Sequence, residues 1–197
     1  MSDIDGNLRR PDPARHRPAG DGGLLARLGL HRPELRAWAM YDWAISGMQA
    51  VILASVFPIF FARVPAANLG PDGATQALSN ANLAGALIVA VLAPILGAMA
   101  DYAAAKKRMT AVFMLVGVAG CFGMYFIQRG DLVLATLLFI LTLVGSTASL
   151  TFYESLLPHI ARDDEMDRVS TGGYALGYLG GGILLALNLA WIQRPDL

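Results

Sequence analysis

Only one cysteine, Cys121, occurs in the 197 residues, so no internal disulfide can form, and nothing around it has a metal-ligand spacing. Charge is also scarce. Asp, Glu, Lys and Arg make up 15% of the chain, against roughly 25% in soluble domains, and lysine occurs only at 106 and 107. The 15 basic residues balance the 15 acidic ones, which leaves no net positive charge to draw the chain to nucleic acid, and no such partner is expected. The three histidines, His16, His31 and His159, have no spacing suited to a metal or a catalytic triad. Gly145-Ser146-Thr147-Ala148-Ser149 lacks the Gly-x-Ser-x-Gly pattern of a nucleophile elbow. Neither an enzyme, a metal centre nor a cofactor is expected.

What is present is apolar: 55% of the residues are hydrophobic, and they lie in long runs without charge. Trp43 to Ala62 (20 residues), Gly73 to Ala100 (28), Met109 to Gln128 (20), Leu132 to Tyr153 (22) and Val169 to Gln193 (25) are each free of Asp, Glu, Lys and Arg. A hydrocarbon layer about 30 Å thick is crossed by about 20 helical residues, so all five are long enough to span it. A soluble helical protein would need polar faces at helical spacing, and Leu83 to Leu96 and Leu132 to Val144 offer almost none. The fold class read from this pattern is all-α, a polytopic transmembrane helical bundle. Its helices are expected near 36–62, 76–100, 109–128, 132–153 and 170–193, within a bundle covering 36–197.

Residues 1–35 read as a disordered or interfacial tail. Leu24, Leu25, Leu28 and Leu30 interleave with Arg27 and Arg32, as in a short amphipathic turn laid on lipid; a solvated linker is the alternative. Pro33 marks a helix start. Seven arginines in the tail and first turn, the Lys106-Lys107-Arg108 cluster, and Arg162 with Arg168 fall on one side of the five crossings. Only Arg63, Arg129 and Arg194 fall on the other, a twelve-to-three bias that places the N-terminus in the cytoplasm. Thirteen arginines to two lysines suit a GC-rich bacterial gene, and the expected location is the bacterial cytoplasmic membrane.

Small residues recur where helices would touch. Gly173, Gly177 and Gly181 repeat every four residues on the fifth helix; Ala81, Gly85, Ala93 and Gly97 form a second stripe on the second helix. These serve either ordinary packing or one sliding interface between two bundles. Pro94 should loosen the second helix. Asp42 is an acid set in apolar helix. At midspan it would cost about 2.5 to 3.5 kcal/mol, so it should face protein or water. It is a candidate for proton coupling or for contact with a substrate ammonium group, helped by Tyr41 and Trp43; stabilising the helix dipole is the alternative. Trp38 and Trp43 read as interfacial anchors. Thr142, Ser146 and Asn188 are candidates to line a solute path, although such side chains often bond their own helix.

The segment Gly97-Ala98-Met99-Ala100-Asp101-Tyr102-Ala103-Ala104-Ala105-Lys106-Lys107-Arg108 sets glycine and aspartate four apart at a helix exit and follows them with a basic cluster. It resembles the loop between helices two and three of major facilitator superfamily transporters, with Tyr102 and Ala104 departing from that pattern. In such a loop Gly97, Asp101, Lys106, Lys107 and Arg108 would hold a gate through contacts between carboxylate and cation or helix dipole. An ordinary positive-inside loop is the alternative. Three further stretches are similar to the unknown-major-facilitator branch, which includes the autophagy-related vacuolar amino-acid effluxers. They are Ala37-Trp38-Ala39-Met40-Tyr41-Asp42-Trp43-Ala44, Phe152-Tyr153-Glu154-Ser155-Leu156-Leu157-Pro158 with Asp167-Arg168-Val169-Ser170, and Gly177-Tyr178-Leu179-Gly180-Gly181-Gly182. Ile45 and Glu154 stand where asparagine is common in that branch.

The resemblance, over roughly residues 36 to 192, implies twelve helices in two six-helix halves. It also implies a midplane path for a small-molecule substrate and alternating access. Five spans are an incomplete first half, so the chain is expected to be an N-terminal part that does not transport alone, its partners being lipid bilayer, substrate and the C-terminal half. A non-transporting membrane subunit that pairs through its glycine face is the competing expectation.

Overall fold

The computed structural model describes residues 23–100 and 106–194, and among these the chain is a bundle of helices without strands. Five helices are long and apolar enough to cross a membrane. Helix α1 (Pro33–Arg63) opens with Pro33 in its first turn, where a missing N–H costs nothing, and Glu34 beside it suits the positive end of the helix dipole. Its middle, Gln49–Val56, is wound as a π-helix before α-helix resumes at Phe57–Arg63. Pro58 lies just past the wide section; it cannot donate a hydrogen bond backward, and its ring pushes away the carbonyl one turn earlier.

Helix α2 (Gly70–Ala100) continues through Pro94, and α3 (Lys106–Gly123) ends in a 3-10 turn at Met124–Phe126. Gly130, at φ 89°, makes the tight turn into α4 (Leu132–Glu154), and its N–H donates to Val64 O at 3.3 Å. That bond ties the two loops of the arginine-poor end together. A helical turn at Leu157–Ile160 leads to α5 (Met166–Gln193). Helices α2 and α5 begin at 70 and 166 rather than near 76 and 170, because their first turns are polar. Asp72 and Asp167 favour the N-terminal dipole, and counting charge-free residues cuts such turns off.

Helix α1 packs on α5, while α4 packs on both α2 and α3. Pairing of one with five and of four with two is the exchange that two three-helix repeats would generate. Helix α4 is the most enclosed, with 39% of its apolar span buried against 11% for α2, and is therefore the pillar of the bundle. At the arginine-poor end Phe57 stacks on Phe139 at 5.3 Å, with Phe61 and Met124 around them. At the opposite end Leu30, Leu35, Trp38, Tyr153 and Val169 form a second core. Val91, Leu115, Val133 and Leu187 point outward, the surface a helix presents to lipid.

Residues 1–22 of the tail lie outside the described residues. From Gly23 onward the chain docks on α5: Leu24–Arg27 is one helical turn, Leu30 N–H donates to Leu25 O at 2.7 Å, and Gly29 at φ 77° closes the turn. Leu30 is 1% exposed and sits in protein, not on lipid, because Gly172 of α5 lets the Leu28 carbonyl approach closely.

Candidate functional site

The seam between α1 and α5 is built from side chains of one helix over glycines of the other. Trp38, Asp42 and Ser46 are spaced by four on α1, and Gly173, Gly177 and Gly181 by four on α5, so the two rows interlock. A Cβ at 173 would collide with the Trp38 ring. One at 177 would stand 2.5 Å from Asp42 Oδ2 and 2.8 Å from Ser46 Oγ, and one at 180 would overlap the indole of Trp43. Gly181 lies against the Ser46 carbonyl, at 3.4 Å from such a Cβ.

The stripe on α2 does not form a second seam of this kind. Ala81 is buried, and Gly85 faces Leu143 of α4 at 2.5 Å from a Cβ, but Ala93 is exposed and a Cβ at Gly97 would meet nothing within 4 Å. The expected continuous stripe therefore splits: beyond Gly85 it is Leu96, not Ala93 or Gly97, that packs against Ala148 and Phe152 of α4. The tightest crossing falls elsewhere, between α3 and α4. A Cβ at Gly145 would stand 2.5 Å from Gly117 N and 2.8 Å from its Cα, and a Cβ at Gly120 would stand 2.9 Å from Thr142 N. Those three glycines are too unevenly spaced within their own helices to form a visible stripe.

Beside the α1–α5 seam lies a cavity of about 460 Å³, within the range of small-molecule sites. Asp42, Ser46 and Gln49 of α1, Glu154 at the end of α4, and Tyr174 and Tyr178 of α5 supply its polar wall. No Lys, Arg or His is among the lining residues. Asp42 is 4% exposed, and its Oδ2, packed over Gly177, has no hydrogen-bond partner among the described residues. Gln49 and Ala50 reach the cavity from the π-helical section, where winding of this kind often marks a functional site.

Of the residues expected along a path, the structure brings Asp42 to this cavity and the others elsewhere. Tyr41 turns to α4, where its hydroxyl pairs with Ser149 Oγ, and Ser149 in turn donates to Thr110 O at 3.3 Å. Tyr41 instead lines a second cavity of about 420 Å³ with Glu34, Trp38 and Lys107. Trp43 is half exposed over Gly180. Thr142 donates to Leu138 O at 2.9 Å and Ser146 to Leu143 O at 3.0 Å, both fully buried at the α3–α4 crossing. Asn188 donates to Leu184 O at 2.8 Å on α5. All three bond a carbonyl of their own helix. Gln49 and Tyr174 were not singled out from the sequence, and Glu154 only as a residue standing where asparagine is common; the helical register joining Glu154 to Leu150 and Tyr174 to Gly177 is a signal that could have pointed to those two.

Asp101 of the expected gating loop lies outside the described residues. Lys106 is 5% exposed, and its Nζ donates to Ser155 O at 3.1 Å with His159 Nε2 at 3.5 Å. It thus caps the negative end of α4 rather than standing free. Lys107 and Arg108 are exposed, and Gly97 has no close neighbour. Trp38 is no interfacial anchor: it is 5% exposed and stacks on Tyr153 at 4.7 Å, and Tyr153 donates to the Trp38 carbonyl at 3.0 Å.

At this same end Glu165, just before α5, gathers the loops. It accepts from Arg162 N–H at 3.0 Å and pairs with Arg32, with His31 at 3.6 Å and with the Arg162 guanidinium at 3.7 Å. Arg32 also donates to Ile160 O at 2.8 Å. The Arg162 N–H first, then the charges of Arg32, Arg162 and His31, hold the Glu165 carboxyl below its ordinary 4.5.

Residues 74–195 match the family described as vacuole effluxer Atg22 like. Over 161 residues the chain is 32% identical to an uncharacterized MFS-type transporter of Bacillus subtilis (strain 168), YxiO. That match takes in 79% of this chain and 37% of the relative, so the chain spans little more than a third of the relative's length. No solved structure matches.

Proposed function

The chain belongs to the Atg22-like family of major-facilitator-type transporters, and we propose that it forms the N-terminal part of a secondary transporter moving a small metabolite across the bacterial cytoplasmic membrane. In this reading amino acids are the first cargo to test, the arginine-rich end faces the cytoplasm, and the remaining helices of the transporter are the partner that completes it. Alternating access carries the solute, and the cavity beside the α1–α5 seam is this part's share of the path.

The carrying observation is Asp42, buried in that cavity with an unpartnered oxygen. An unpaired buried charge is expensive, so a carboxyl kept there calls for a matching proton or cation, which a transporter on this reading takes up and releases. The competing reading, a subunit that pairs with other helices through its glycines, loses its surface. The glycine face of α5 is already filled by Trp38, Asp42 and Trp43 of α1.

The test is flux of labelled amino acids into proteoliposomes holding the complete transporter. Saturable flux that falls at least tenfold in Asp42→Asn is expected. Flux indifferent to that substitution removes the cavity from the path, and the absence of flux with any amino acid removes the cargo.

A further inference from the structure

The cavity wall is one-sided in charge. Among the described residues, Asp42 and Glu154 are its only ionisable groups apart from Tyr174 and Tyr178, and no basic side chain reaches it from α1, α4 or α5. The remaining wall is uncharged: Ser46 and Gln49 are polar, and Ala50, Ala54, Leu150 and Gly181 are apolar or small. An anion entering would meet like charge and no cationic side chain among the described residues, whereas a cation would meet a carboxylate already stripped of water. Asp42 Oδ2 has no partner among the described residues, and its residue is more than nine-tenths buried. Gly177 keeps the space in front of that oxygen, which a Cβ would take up at 2.5 Å. The aromatic face of Tyr174 adds a second attraction for a cation. A proton alone needs none of this room; about 460 Å³ accommodates a small organic molecule.

We propose that this cavity binds its solute by a primary ammonium group, with Asp42 as the counter-ion, Glu154 as the second carboxylate and the apolar wall taking the hydrocarbon part. This rests on the reading of the cavity as a solute path, and it is tested by binding rather than flux so that the two can fail separately.

The complete transporter in lipid nanodiscs is titrated calorimetrically at neutral pH with phenylethylammonium chloride and with sodium N-acetylphenylalaninate, which has a similar bulk and the opposite charge. The expected result is saturable binding of the cation at least tenfold tighter than the anion. Asp42→Asn should weaken the cation tenfold or more, and Glu154→Gln should weaken it severalfold. Glu154 is exposed, so its variant keeps the test alive if Asp42→Asn fails to fold. Equal affinity for the anion, cation binding untouched by both substitutions, displacement of the cation by sodium ion alone, or no saturable binding of the cation each overturns the proposal. Charge-blind binding alongside Asp42-dependent flux in the complete transporter would defeat the ammonium assignment and leave the path intact.

Discussion

Replacing Gly145 by alanine adds one methyl group at the point where α3 and α4 are closest. The new Cβ would lie 2.5 Å from Gly117 N, 2.8 Å from its Cα and 3.0 Å from Phe113 O. All three are backbone atoms, so no rotamer change relieves the overlap. Carbon atoms rest about 3.5 to 4.0 Å apart, and the helices must therefore part by roughly 1 Å there, loosening the contacts on either side. Overpacking of this kind costs about 1–3 kcal/mol, offset by about 1 kcal/mol from alanine's better helix propensity. The net is a loss of about 0–2 kcal/mol. Gly97→Ala makes the same chemical change where nothing lies within 4 Å, and should gain about 0.5–1 kcal/mol. The two variants should melt about 1–12 °C apart, with Gly145→Ala the lower, when followed by near-ultraviolet circular dichroism in detergent. Gly117→Ala, with its nearest backbone atom at 3.3 Å, should fall between them. A Gly145→Ala protein that melts at or above Gly97→Ala refutes the claim that backbone contact holds this crossing.

Two further predictions concern the arginine-rich end. Tyr153→Phe keeps the stack on Trp38 but removes the hydrogen bond to its carbonyl, and should lower stability by about 1 kcal/mol, while Tyr153→Ala should lose about 3–5 kcal/mol by leaving a cavity. Equal melting of the two variants would mean that the ring contributes nothing. Glu165 binds its proton less readily when folded than when unfolded, so its contribution is present above about pH 4.5 and is lost as pH falls through its lower folded value. Parent and Glu165→Gln should therefore differ in melting midpoint at pH 7 and converge toward pH 3. A gap that is constant over that range would show that Arg32, Arg162 and His31 do not act on its charge.

The five spans were legible because lipid demands an unbroken apolar length, and that demand is written in composition alone. The α5 glycine row was legible too, since a four-residue repeat is a helical face whatever lies opposite. What lay opposite was not. In a helix apolar all round there is no polar side to mark the interior, so Thr142 and Ser146 looked as suited to a path as Glu154 and Tyr174. Trp38 was misread for the same reason: a tryptophan near a membrane end sits equally well at the headgroups or beneath a tyrosine, and only the Tyr153 stack decides between them. The π-helical section left no trace either, because winding is set by backbone hydrogen bonds and Pro58 gave only its position.

That wide section, Gln49–Val56, sits in α1 between its two anchored ends. Trp38 and Asp42 fix one end against α5, and Phe57 and Phe61 fix the other in the aromatic core. An overwide coil can hand its surplus residue along the chain, tightening behind and opening ahead, which swivels Gln49 and Ala50 by about 100° for each residue passed, as follows from 3.6 residues per turn. Helix α1 thus contains its own universal joint: its two ends can keep their grips while the stretch between them turns.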